Sequence, residues 1–108
     1  MTDVTLRAGE TTYNLDLGVS GICDLEAAFG DKGLFEIMSL FADGKKARLG
    51  EFRKFIAVLL RDPAGKKLDE ATAFAAIDHA GISASVAAVA AAITQILARA
   101  QGEAQGEA

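Results

Sequence analysis

The feature that most limits what this chain can fold into is a change of hydrophobic period within one stretch, Gly18-Val19-Ser20-Gly21-Ile22-Cys23-Asp24-Leu25-Glu26-Ala27-Ala28-Phe29-Gly30. Before it, apolar residues alternate with polar ones, the period of a half-buried strand; from Ile22 onward Ile22, Leu25 and Phe29 recur at helical spacing. The stretch is therefore a hinge between a small sheet and a helical body. Ser20 is the expected N-cap of its helix and Gly30 the expected residue just past its end.

Upstream, the runs Asp3–Arg7 and Thr11–Leu17 flank Ala8-Gly9-Glu10 and predict a hairpin over 3–17, with Gly9 supplying the positive φ of a tight loop. Downstream, residues 19–100 read as the helical body. The hinge helix is followed by a helix over Leu34–Phe41 with Leu34, Ile37, Met38 and Phe41 inward, ended by Asp43-Gly44. A third, Leu49–Arg61, carries the densest apolar stripe (Phe52, Phe55, Ile56, Leu59, Leu60) and stops before Pro63, because the residue preceding a proline is pushed out of helical geometry. Asp69 caps a fourth helix with Leu68 as its apolar staple and Phe74 and Ile77 inward; Gly81 ends it, with Ile82 as the expected apolar contact. The fifth places Ile82, Val86, Val89, Ile93, Ile96 and Leu97 in a heptad-like stripe on an Ala-rich rod. The expected fold class is α+β, an N-terminal β-hairpin packed on a bundle of about five short helices. A chain of 108 residues has room for one modest core, so residues 1–100 are expected to form a single domain. The Gln-Gly-Glu-Ala repeat over 101–108 has nothing to bury and is expected to be disordered.

Few of the residues that chemistry needs are present. The one cysteine, Cys23, falls beside the apolar stripe of the hinge helix and reads as a small buried hydrophobe; the one histidine, His79, sits in a last helical turn facing the carbonyl end of the dipole. Asp24 and Glu26, two apart on a helix, point to nearly opposite sides and cannot act as a pair. No zinc spacing, calcium loop or phosphate-binding glycine loop occurs, so no catalytic, cofactor-binding or metal-binding residue is assigned and the chain is read as a non-enzyme. The start lacks the basic and apolar regions of a signal peptide, and one cysteine cannot close an internal disulfide; both predict a cytoplasmic protein. The stretch Ile82–Ala100 is long enough to span a bilayer but is too rich in alanine to drive insertion, and reads as a soluble helix.

The net charge of −4 conceals an asymmetry. Between Lys45 and Lys67 eight basic residues face two acids, an excess of six positive charges; the remaining three basic and thirteen acidic residues leave ten negative. A basic middle with acidic flanks suits attachment to an acidic partner or to further copies of the chain. It also motivates an alternative, a small nucleic-acid-binding regulator using segment 45–67, to which Gly30-Asp31-Lys32-Gly33 could add the GxxG loop of a KH domain. The sequence shows neither the third strand nor the basic groove that such a domain requires, so nucleic acid is not the expected partner.

The hairpin, the hinge with its core Ile22-Cys23-Asp24-Leu25-Glu26-Ala27-Ala28-Phe29-Gly30, the aliphatic third helix ending in Leu60-Arg61-Asp62, and the run from Leu68-Asp69-Glu70-Ala71 to His79-Ala80-Gly81-Ile82 before an Ala-rich helix together resemble a known family. It is the small tail protein family of gene transfer agents and siphophage-like elements, whose members are described as tail tube or tail assembly chaperone proteins. The resemblance covers residues 4–97. It implies a non-enzymatic tail protein in the cytoplasm of a bacterial host or on the virion, a tail assembly chaperone whose partners are the tape measure protein and the major tail protein; the alternative is a structural subunit that self-assembles. The surface expected to receive a partner helix is formed by apolar residues between the second and third helices (Met38, Phe41, Phe52, Phe55), with Arg53 and Lys54 as rim charges, or by the Ala-rich last helix.

Overall fold

The computed structural model describes residues 4–42 and 48–106. Its elements run β1 (Thr5–Ala8), β2 (Thr11–Leu15), α1 (Val19–Ala28), α2 (Leu34–Ala42), α3 (Leu49–Leu59), β3 (Leu60–Arg61), α4 (Glu70–Ala80) and α5 (Ile82–Gly106). The fold is α+β as expected, with one addition: the sheet has three antiparallel strands in the order β1-β2-β3.

The hairpin forms as the alternation dictates. Leu6 pairs with Tyr13 and Ala8 with Thr11, leaving a two-residue Gly9-Glu10 loop; Gly9 has φ 64°, the requirement of a tight primed turn. Val4, Leu6 and Leu15 are buried, with β1 against α4 and α5 and β2 against α3. The third strand is a correction to the sequence reading. Helix α3 stops at Leu59, two residues short of the expected end, because Leu60 turns extended (φ −71°, ψ 134°) and pairs with Leu15 while Arg61 pairs with Asn14. Pro63 is therefore not what ends α3; it lies in a turn in which Asp62 N–H donates to Lys66 O and Asp62 Oδ1 accepts from the N–H groups of Ala64 and Lys66. A two-residue strand has no period of its own, and its apolar Leu60 merges with the stripe of the preceding helix.

Helix α1 starts two residues earlier than Ser20 implied. Gly18 is the N-cap, and Asp16 Oδ1 accepts from its N–H at 2.9 Å. At the other end Phe29 is the C-cap and Gly30, at φ 72°, makes the left-handed step, with Asp31 N–H returning to Glu26 O at 3.0 Å. That six-to-one bond is the Schellman closure, which a residue with a side chain makes at a cost and glycine does not. The expected stop Asp43-Gly44 for α2 lies outside the described residues.

Helix α3 is the centre of the packing: it touches α1, α4, α5 and β2, and its Phe55, Ile56 and Leu59 are completely buried. Around it Phe41 meets the rings of Phe29, Phe52 and Phe55 edge-on, at centroid distances of 5.8, 5.1 and 5.0 Å. Such edge-to-face geometry places positive ring edges on negative faces and adds to simple area burial. All the buried apolar residues form one cluster.

Asp69 caps α4 as expected: its carboxylate accepts from Thr72 N–H at 3.3 Å and from the Thr72 hydroxyl at 2.6 Å. These two bonds favour the ionised form and hold the Asp69 carboxyl below its ordinary value of 3.8. The sign follows: a depressed folded-state pKa adds stability above the unfolded value and loses it as pH falls through the folded one. Carboxyl-carbon NMR titration should show Asp69 titrating below 3.8 in the folded protein. Asp69→Asn should preserve the cap and flatten the acid limb of the pH–stability curve; an unshifted Asp69 would contradict the geometry.

At the next junction Gly81 has φ 95° and its N–H returns to Ile77 O, but Ile82 is not the covering apolar contact expected there: it opens α5 and is 64% exposed. The six-residue stripe of α5 also divides. The buried side is Ser85, Ala88, Val89, Ala92 and Ile96, so alanines rather than the branched residues supply much of the contact, while Val86 and Leu97 stand exposed and Ile93 half-buried. Ser85 is satisfied within the core by donating to Gly81 O at 2.8 Å. Helix α5 then runs through Gly106, where disorder was expected from 101. Extending an existing helix adds a hydrogen bond per residue without a new nucleus, and Ala, Gln and Glu are good helix formers.

Candidate functional site

The residues expected to receive a partner are separated by the fold. Met38 and Phe41 are 5% and 7% exposed and belong to the core; Arg53 and Lys54 are exposed. Their burial is the inward orientation that the helical spacing of Leu34, Ile37, Met38 and Phe41 predicts, and it takes both out of the surface expected to receive a partner. Arg53 and Lys54, adjacent in sequence, lie over different rings: Arg53 Cζ is 4.0 Å from the centroid of Phe74, and Lys54 Nζ is 4.9 Å from that of Phe29. Each cation is held against an aromatic face by the ring quadrupole.

Arg53 and Phe52 instead border a groove whose other walls the sequence does not single out. Leu49, Gly50, Phe52 and Arg53 of α3, Ile77 and Asp78 of α4, and Gly81, Ile82 and Ser85 at the start of α5 enclose about 510 Å³. Its surface is apolar: Leu49 is 52% exposed and Ile82 64%, and Phe52 is half-buried with its ring resting on Phe41. Arg53 and Asp78 supply one charge of each sign at its edge. Phe41 thus acts from beneath, as a wall for Phe52, rather than as a contact surface. The signal that could have located the groove is that Leu49 and Ile82, both at helix starts, each interrupt a polar or turn context with a large apolar residue.

One cation of the basic segment is taken into the fold. Arg61 is buried; its Nη1 donates to the Val58 and Leu60 carbonyls, both at 3.0 Å, and its Nη2 approaches Asp16 Oδ2 at 3.3 Å and Asp24 Oδ2 at 3.7 Å. The guanidinium satisfies a carbonyl that the end of α3 leaves without a helical partner and ties β3 to the hinge. Lys67 Nζ pairs with Asp24 at 3.1 Å. Arg61 is thus turned inward and Lys67 is paired with a carboxylate, while Arg53, Lys54, Lys66 and Lys67 remain at the surface. The GxxG loop joins α1 to α2, and Glu26 Oε2 accepts from Leu34 N–H at 2.8 Å across it, which puts a carboxylate where a nucleic-acid clamp needs positive charge.

Cys23 and His79 occupy separate places. Cys23 is exposed, against the expectation that it is buried, and lines a shallow depression with Leu17, Val19, Ile22, Leu34, Ile96 and Arg99. His79 is in the last turn of α4 as expected, beneath the β1–β2 loop, where a β-carbon at Gly9 would stand 2.8 Å from its Nε2. Among the described residues no group of three or more His, Cys, Asp or Glu side chains is placed to hold a metal ion.

Neither the curated proteins nor the solved structures contain a match to this chain. A family model described as phage tail tube protein, GTA-gp10, matches residues 2–102, nearly the whole chain, so the protein belongs to that phage tail tube family.

Proposed function

We propose that the protein is a non-catalytic tail component that works by attachment during tail assembly, holding a helical segment of the tape measure protein and handing on major tail protein subunits. Membership of the tail tube family supports a role among tail proteins. The observation that carries the attachment reading is the groove between α3, α4 and α5: an open apolar trough with Leu49 and Ile82 exposed along its sides and Arg53 at its edge. Its occupant is an amphipathic helix that lays apolar residues into the trough and an acidic residue against Arg53. Charges at a rim tune the rate of encounter more than the final affinity, which suits a reversible attachment. The protein would act in the cytoplasm of the producing cell or on the particle.

Co-expression with the adjacent tape measure and major tail proteins, followed by pull-down, tests this. Leu49→Asp should cut tape measure recovery by roughly tenfold or more, since it places an unpaired charge in an apolar contact, and Arg53→Glu should weaken it in a salt-dependent way. Equal recovery with wild type and Leu49→Asp would reject the groove, and absence of both partners would reject the attachment reading.

A further inference from the structure

We propose that α5 forms an antiparallel, two-fold symmetric pair with α5 of a second copy of this chain. Three large apolar residues of the helix are exposed, Ile82 at 64%, Val86 at 40% and Leu97 at 36%, and Ile93, half-buried with part of its side chain packed against the core, completes one strip with them. At about 100° per residue they fall within roughly 60° of arc, alongside the arc that carries Ser85, Ala88, Val89, Ala92 and Ile96 into the core. From Ile82 to Ala98 the helix carries no charged residue. A helix face left to water normally carries charge, so an uncharged apolar strip is the mark of a contact surface.

The order of the strip selects the occupant. The spacings from Ile82 to Val86, Val86 to Ile93 and Ile93 to Leu97 are four, seven and four, which read the same in both directions. A two-fold axis between Val89 and Ala90 therefore sets Ile82 against Leu97 of the second copy and Val86 against Ile93 of the second copy, and repeats both contacts by symmetry. This is the isologous relation in which residue i meets j and j meets i. Ala90, exposed and next to the axis, lets the helices approach at the short end of the usual 8–10 Å. A foreign helix has no reason to match a palindromic spacing; a second copy matches it automatically. The seam is about 22 Å long, short of the roughly 800 Å² per partner of a standard interface, so association is concentration-dependent and not obligate. The central Val86–Ile93 contacts lie outside the groove, whereas Ile82 belongs to both the seam and the groove, so a helix seated in the groove competes for the ends of the seam.

Sedimentation equilibrium on the full chain, from micromolar to several hundred micromolar, should show the mass rising from 11.2 kDa toward twice that value. Val86→Glu should raise the dimer Kd at least tenfold with an unchanged circular dichroism spectrum, whereas Leu49→Asp should leave it alone while still affecting partner pull-down. Geometry is read by cysteine pairing in a Cys23→Ser background. Ala90→Cys should cross-link to itself, and Ile82→Cys and Leu97→Cys should each fail alone but cross-link when mixed. Self-linking by Ile82→Cys or Leu97→Cys alone would mean a parallel pair and overturn the proposal. So would a strictly monomeric chain, open-ended assembly, or partition of the chain into neutral phosphatidylcholine vesicles, the last pointing to a lipid surface for the same strip.

Discussion

Phe55→Ala is expected to bring this protein to the edge of unfolding at 25 °C. The ring is completely buried on α3, where α1, α4 and α5 converge, and its face or edge meets Phe41 at 5.0 Å. Truncating a fully buried phenylalanine loses the transfer free energy of the removed atoms and leaves a cavity, about 3–5 kcal/mol together, against a total stability of about 5–15 kcal/mol for a domain of this kind. The consequence spreads, because Phe41 also braces Phe29 and Phe52, and Phe52 forms one side of the groove. Urea unfolding should show the midpoint falling sharply with the slope nearly unchanged. Phe35→Ala is the control: that ring is 66% exposed, and its loss should cost no more than about 0.5 kcal/mol. Similar midpoints for the two variants would mean that α3 is not the core helix.

The second large effect has the opposite sign to what helix propensity says. Gly21 lies inside α1, and replacing an interior glycine by alanine ordinarily stabilises a helix by about 1 kcal/mol. Here the added β-carbon would stand 2.1 Å from the carbonyl oxygen of Asp16, a backbone atom. Asp16 cannot step aside cheaply: its N–H donates to Leu59 O at 2.8 Å, and its carboxylate holds both the N-cap Gly18 and the buried Arg61. Overpacking against a backbone fixed in this way costs about 3 kcal/mol or more, so Gly21→Ala should destabilise by at least about 2 kcal/mol net. Gly50→Ala, in the first turn of α3 with open space around it, should stabilise by roughly 0.5–1 kcal/mol. Thermal melts of the two variants should move in opposite directions, and a Gly21→Ala protein that melts above the parent would show that α1 does not rest on the Asp16 carbonyl.

Much of the architecture was legible because it depends on neighbours along the chain. The hairpin, the Asp69 cap, the left-handed step at Gly30 and the inward face of α3 follow from alternation, helical spacing and residues with special backbone freedom. The features that escaped depend on distant pairings. Leu60 leaves the helix only because Leu15 offers it a strand edge, and Arg61 is buried only because Asp16, Asp24 and the end of α3 surround its guanidinium. The docking surface shows the same division. Met38 and Phe41 are turned into the core as their spacing predicts and so are not available to a partner, while Leu49 and Ile82 stay exposed because each begins a helix whose own stripe packs elsewhere.

The linear order of residues determined the fold class, the starts of the helices and most of their ends, and the family, since each is written in local periods and in motifs spread along the chain; the length of α5 is the exception. Tertiary structure alone decided which apolar side chains are core and which are surface. Burial is settled by whether another element reaches a given face, and Ala88 and Ala92 against the core with Val86 and Leu97 outside it is an arrangement that hydrophobicity by itself would have reversed.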